Sequence, residues 1–380
     1  MYSTLEETET APAGAVAAAR WVANDLVVCA FYRSIGQTML FNLAENSSFA
    51  VASPLILELL AHATEPRTRE ELVEFVRSRA EIDAESAGKL VRFCADKELL
   101  RDEEAAGADQ AVAALERWRR FGWDGAAIYH FFTRDFPFLD YSRPEAYTTD
   151  QGLMSEYKGR WLEPPRYKEY TGRPFIPLEV AEKAMSDVSL HALQDMRLAK
   201  PDAAPVDRAR LGTLLYYTFG QTGAIRYPIV EPLLRRTSPS GGARHPTEGY
   251  LAVFDPIDDI PPGLYHYSVK EQGLEEVAPG QFRDQVFAAL DTLSERDELE
   301  PRAIVFYTSL VERNMWRYRE PRTYRVVHLD LGHLTWTSYL AATGLGIRTF
   351  AHHGMDDAAI ERLFGLDPVH ESVYWYMALG

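Results

Sequence analysis

The sequence predicts an α+β protein. Two observations carry this. From about Asp207 onward, short apolar strands and helices follow one another without the strict βαβ alternation of a doubly wound sheet. Upstream, residues 15–105 read as two strands followed by three short helices, a separate small unit. A chain of 380 residues has room for both, at about 100–200 residues per domain.

Each element has a local cause. Thr38–Leu43 and Ser48–Ala52 bracket Glu45-Asn46-Ser47, a hairpin pattern. Ser53-Pro54 opens a helix, with serine as N-cap and proline at the first helical position; Glu65-Pro66 ends it. Thr68-Arg69-Glu70-Glu71 is a capping box for the next helix, with Leu72, Phe75 and Val76 on its apolar side. A third helix carries Leu90, Val91 and Cys94. The aromatic-rich stretch from Trp118 to Phe132 reads as a helix packed between domains, and the proline-rich residues 142–205 as an extended arm. Arg208–Phe219 is a helix stopped at Gly220, and Gln281–Leu293 is helical. Gly249–Phe254, Gly263–Tyr267, Ala303–Thr308, Ile347–Ala351 and Val373–Leu379 are strands. Val326–Thr343 is a long helix ended by Gly344, and a further helix lies near Asp356–Phe364. The expected boundaries are a flexible 1–14, a small domain 15–105, a helical linker and arm 106–205, and a C-terminal domain 206–380.

Composition excludes several functions. The net charge is −16, and residues 1–110 hold 10 Lys+Arg against 19 Asp+Glu. Nucleic acids and anionic membrane surfaces need the opposite sign. Two cysteines, Cys29 and Cys94, rule out a disulfide framework and a cysteine zinc cage, and suit a cytoplasmic protein. No apolar stretch approaches the ~20 residues that span a bilayer, and no spacing of His, Cys, Asp or Glu suggests a metal.

Three segments stand out chemically. Arg235-Arg236-Thr237-Ser238-Pro239-Ser240-Gly241-Gly242-Ala243-Arg244-His245 joins arginines to a glycine pair that allows close backbone approach to a flat or phosphorylated ligand. Arg313–Arg325 holds five arginines interleaved with Trp316, Tyr318 and Tyr324, residue types suited to an anionic, aromatic cofactor. Asp330-Leu331-Gly332-His333 follows on the long helix.

In this order these segments resemble the SagB-type dehydrogenases (azoline oxidases), a branch of the FMN-dependent nitroreductase superfamily. The match runs through Pro239–Pro246 and Glu248, Pro262–Tyr267, Trp316-Arg317-Tyr318, Tyr324-Arg325, Asp330-x-Gly332-His333, Gly344-Leu345-Gly346 and the terminal Leu379-Gly380. The resemblance implies a nitroreductase-like flavin domain, a mixed sheet flanked by helices, preceded by a winged-helix-like peptide clamp. It implies a homodimer with FMN at the interface, oxidising thiazolines or oxazolines in a peptide or peptide-like substrate, with room for partner enzymes of the same biosynthesis. The implied cofactor residues are Arg235, Arg236, Ser238, Pro239, Ser240, Gly241, Gly242, Ala243 and Arg244, with Gly344, Leu345 and Gly346 approaching the flavin from the other side.

The sequence departs from the family twice. Where these oxidases commonly carry Lys-Tyr, it has Arg317-Tyr318. Arginine is a poor base, so Tyr318, its pKa lowered by nearby arginines, becomes the candidate base; alternatively Arg317 only polarises the substrate. Where the superfamily has an Arg-x-Ser-x-Arg phosphate grip, the nearest match is Met196-Arg197-Leu198-Ala199-Lys200. Two other functions fit the same residues: an NAD(P)H-dependent nitro- or quinone reductase, and a non-catalytic peptide-binding partner that keeps the fold.

Overall fold

A computed structural model of the chain describes residues 19–43, 45, 47–188, 203–290 and 299–380. It divides into two units, Met1–Phe138 and Leu139–Gly380. The division falls inside the stretch expected to be a single connecting region. The flexible 1–14 and the Met196–Lys200 stretch lie outside the described residues.

In the first unit the expected hairpin gains a third strand. Val27–Tyr32, Gln37–Asn42 and Ser47–Val51 form an antiparallel meander. A second small sheet joins Arg20–Ala23 to Arg67–Thr68 and Leu100–Asp102. The three expected helices are present at Pro54–His62, Arg69–Ala80 and Ala84–Asp96. Their starts follow the local chemistry. Ser53 Oγ accepts from the Leu55 N–H, and the capping box of Thr68 and Glu71 is complete. Leu59, Leu72, Val76, Val91 and Cys94 fill the core between them. The aromatic stretch forms two helices, Gln110–Arg119 and Asp124–Phe132, whose Leu115, Ala127 and Phe131 pack on Leu26 and Leu43 of the same unit.

The second unit is built on a seven-stranded sheet. Its order is Thr349–His352, Glu371–Leu379, Ala303–Leu310, Thr247–Val253, Gly263–Ser268, Gly273–Pro279 and Phe175–Pro177. Every one of these pairings is antiparallel, so the sheet is not mixed as expected. The short turn from Ser268 to Gly273 accounts for one of them: a tight hairpin reverses the chain, whereas parallel neighbours need a crossover of a dozen or more residues.

Both faces of the sheet are buried, and the two-residue period of a strand distributes its side chains between them. Leu251, Val253, Val305, Tyr307, Met377 and Leu379 face Leu211, Leu215 and Phe219 of the helix Arg208–Phe219 and Leu334 and Ala341 of the long helix Tyr324–Gly344. Tyr250, Ala252, Ile304, Phe306, Tyr376 and Ala378 face Val286, Ile360 and Phe364.

Within the expected extended arm lies a 17-residue helix, Pro144–Arg160. Its buried residues are Ala146, Asp150 and Met154, a stripe one side chain wide with a carboxylate in the middle. A stripe that narrow and polar leaves little apolar periodicity to read. Among the described residues, no helix is long and apolar enough to cross a membrane.

Candidate functional site

The site grows from the loop that connects the strand Leu233–Arg236 to Thr247–Val253. In the strand, successive residues point to opposite sides. Arg235 is therefore exposed while Arg236 is buried, its Nη1 donating to the Thr247 carbonyl at 3.2 Å. The two adjacent arginines therefore sit in different environments, one exposed and one buried. The loop then lies along the long helix, between Val326 and Thr337. Ser238 Oγ donates to Thr337 Oγ1 at 2.6 Å. Ser240 Oγ donates to Asp330 Oδ2 at 2.6 Å, and the Gly241 N–H donates to Asp330 Oδ1 at 3.0 Å. Pro239 is exposed.

The glycine pair admits protein side chains. A Cβ on Gly241 would stand 2.3 Å from Val326 Cγ1, and one on Gly242 would stand 2.0 Å from Tyr318 Oη. Gly242 also has φ +60°, a left-handed conformation that glycine adopts without cost. The close approach read from the sequence is thus made by Tyr318 and Val326. The amides of Gly241, Ala243, Arg244 and His245 are bound to protein acceptors: Asp330, the Ser240 carbonyl, the Gly241 carbonyl and Ser240 Oγ.

Tyr318 ends the short helix Glu312–Arg317. The Arg317 guanidinium sits 4.8 Å over its ring. Burial pushes the Tyr318 phenol up, by more than Arg317 and Arg244 lower it, so the expected lowered pKa is reversed. Arg317 Nη2 donates to both oxygens of Asp150, at 2.6 and 2.8 Å. Burial opposes its charge most strongly of any single effect, but Asp150, Tyr318 and Tyr141 together raise its pKa.

Behind the loop runs a row of buried charge. Arg313 donates from Nη1 to the His245 carbonyl at 2.9 Å and to Glu248, and from Nε to the Pro165 carbonyl at 3.1 Å. Glu248 also meets His266 Nε2 at 3.3 Å, and His266 Nδ1 meets Glu275 at 2.8 Å. Burial alone would raise the Glu248 carboxyl; Arg313, His266 and Arg236 overcome it and hold the group at about 2. Burial and the Arg236 charge hold His245 down to about 3, so it is neutral at ordinary pH. Arg244 is buried near Glu163, which also pairs with Arg166. Burial lowers both Arg236 and Arg244 to about 10.

Several of these guanidinium groups keep buried N–H donors without a protein acceptor: Nε and Nη2 of Arg236, Nε of Arg244 and Nη2 of Arg313. Such donors are costly when unpaired. An anionic group fits them, and this is the feature of the site that suits a phosphorylated cofactor.

Gly344-Leu345-Gly346 is elsewhere. Asp330 and Gly344 are separated by about 21 Å of helix at 1.5 Å per residue. The Gly344 and Gly346 carbonyls accept from the amides of Ser186 and Ala204, at 2.7 and 2.9 Å. One chain therefore does not bring this turn to the Ser240–Arg244 loop. Sequence reasoning missed Asp150, Glu163 and Arg166, which lie in the proline-rich stretch where no periodicity or motif marks them. Arg313, Glu248 and Asp330 were inside the quoted segments but without a role. Among the described residues, no cluster of three or more His, Cys, Asp or Glu is arranged to hold a metal.

The chain is 36% identical over 160 residues to the trifolitoxin-processing protein TfxB of Rhizobium leguminosarum bv. trifolii, covering 42% of this chain and 43% of that one. It is 28% identical over 137 residues to the microcin B17-processing protein McbC of Escherichia coli, covering 35% of this chain and 50% of that one. The chain thus spans half or less of the length of these two relatives. The Escherichia coli microcin synthetase McbBCD complex with truncated pro-MccB17 bound aligns over 63% of this chain and 94% of that one, at 20% identity and a TM-score of 0.39. Residues 167–380, which hold the sheet, the Ser238–Arg244 loop and Tyr318, match the nitroreductase family over more than half of the chain, and the chain belongs to that family.

Proposed function

We propose that this protein is an FMN-dependent, SagB-type dehydrogenase that oxidises an azoline, a thiazoline or oxazoline or a related heterocycle, to the aromatic azole in a peptide or peptide-like substrate. The observation that carries the reading is the Tyr318 hydroxyl seated on Gly242, under the Arg317 cation and beside buried arginines with donors to spare. The processing roles in the names of the two relatives support a place in peptide natural-product biosynthesis beside partner enzymes.

Aromatisation removes a proton from one ring carbon and a hydride from its neighbour. When bound, FMN supplies the hydride acceptor. Arg236, Arg244 and Arg313 would hold its anionic part, with the Ser238–Arg244 loop beside them. Tyr318 handles the proton at Oη. Burial disfavours the phenolate, so Arg317 matters as the charge that offsets this cost. Arg317 itself is too basic to take the proton.

Two further features support the wider reading. On the long helix, Leu329 and Trp336 are exposed, and a Cβ on Gly332 between them would meet nothing within 4 Å. This apolar, open face supports a homodimer, in which the partner could bring the Gly344–Gly346 turn that one chain keeps away from the loop. In the first unit, three helices beside two small sheets support a winged-helix-like peptide clamp. Free Cys29 and Cys94 suit the cytoplasm.

The test is to purify the protein, look for a visible flavin absorption band, and incubate it with a candidate azoline peptide under mass spectrometry. A loss of two hydrogens per ring is expected. No flavin band and no FMN affinity would sink the reading, and rapid flavin reduction by NAD(P)H with an unchanged peptide would replace it by a nitro- or quinone reductase.

A further inference from the structure

The helix Pro144–Arg160 and the segment after it lie upstream of the family-matched residues 167–380, yet they grip the residues around Tyr318. Trp316 Nε1 donates to the Trp161 carbonyl at 3.2 Å. The Arg319 guanidinium stacks 4.6 Å from the Tyr157 ring and 4.3 Å from the Trp161 ring. Between them, Arg317 Nη2 meets both carboxylate oxygens of Asp150. Of four consecutive residues, three are held by this upstream segment and Tyr318 is left facing Gly242.

Asp150 is only 5% exposed. A carboxylate buried at that level costs several kcal/mol unless it is paired. The Tyr227 hydroxyl donates to it at 3.4 Å, and the Tyr141 hydroxyl bonds to both Asp150 and Arg317. Its position on the buried stripe, between Ala146 and Met154, aims it at Arg317.

We propose that Asp150 is a positioning residue: it pins Arg317 above the Tyr318 ring and makes Arg317 a fixed cation. This role rests on the reading of Tyr318 and Arg317 as the reactive pair. A loose arginine would sample many rotamers and lend its charge to the phenol only part of the time. A guanidinium held by two short bonds keeps its field on the ring throughout.

The test reads Tyr318 directly, without turnover. The full-length protein is labelled with 3-fluorotyrosine, and the Tyr318→Phe variant assigns the Tyr318 fluorine resonance. Asp150→Asn is expected to move that resonance while circular dichroism stays native. In an Arg317→Gln background the same Asp150→Asn change is expected to move it much less, leaving only the direct effect of the Asp150 charge on Tyr318. If Asp150→Asn alone does not fold, two other steps still decide: the resonance shift from wild type to Arg317→Gln and the shift from Arg317→Gln to the neutral double variant, and a second step as large as the first overturns the proposal. So does an unmoved resonance in folded Asp150→Asn, whatever happens to stability. With an azoline substrate in hand, Asp150→Asn should lower kcat on the order of 10- to 100-fold with KM nearly unchanged. Should the wild-type protein turn over no azoline, the fluorine result is unaffected, so the two readings fail separately.

Discussion

Replacing Gly242 by alanine tests the contact on which the site is built. Gly242 has φ +60°, where a Cβ costs about 1–2 kcal/mol. The added Cβ would also stand 2.0 Å from Tyr318 Oη, against an ordinary contact of 3.4 Å or more. The hydroxyl must therefore retreat by about 1.4 Å, or the loop must move; overpacking of this kind costs about 1–3 kcal/mol. Gly242→Ala should lose about 2–5 kcal/mol in all, read as a shift in the urea unfolding midpoint of the second unit. A displacement above 1 Å at a proton-handling atom should also lower turnover by roughly 100-fold. A double-mutant cycle separates the two causes. In a Tyr318→Phe background the offending oxygen is gone, and the nearest ring atoms would be at 3.0 and 3.2 Å, which small adjustments relieve. There Gly242→Ala should cost only the backbone strain. If the alanine costs the same in both backgrounds, the steric account of the Gly242–Tyr318 contact is wrong.

Three other outcomes are expected. Glu248→Gln leaves Arg313 buried without its carboxylate and should cost about 3–5 kcal/mol at neutral pH. Because the folded carboxyl is held at about 2 against an ordinary 4.5, its stabilisation is complete above pH 4.5 and lost as pH falls toward 2; the gap between wild type and variant should close over that window in acid unfolding. Asp330→Ala removes the acceptor for Ser240 Oγ and the Gly241 N–H, so it should cost about 1–3 kcal/mol and weaken FMN affinity, measured by flavin titration. Gly332→Arg on the open face of the long helix should leave the melting temperature near wild type while sedimentation shows a monomer, if the proposed homodimer uses that face.

Much of the fold was legible because its causes are local. Ser53 and Thr68 announce helix starts by their own hydroxyls, and Gly220 and Gly344 mark helix ends. Gly249–Phe254 and Ala303–Thr308 were legible as strands from their largely apolar runs, because both faces of the sheet are covered. Gly273–Pro279 was missed, since Glu275 and Glu276 break its apolar run and Glu275 is accommodated through His266 and the Tyr170 amide. The helix Pro144–Arg160 was missed because its buried stripe is too narrow to produce a period.

The sequence by itself determined the family and the segments from which the site is assembled, because the glycines, arginines and Trp316-Arg317-Tyr318 are contiguous short motifs. Only the tertiary structure decided which of these residues meet and in what surroundings. Strand alternation separated Arg235 from Arg236, a helix about 21 Å long kept the Gly344 turn from the loop, and burial raised the Tyr318 pKa that its arginine neighbours suggested would fall. Asp150, 167 residues from Arg317, came beside it through folding alone. Desolvation and long-range pairing depend on where the chain goes, and no spacing along it encodes them.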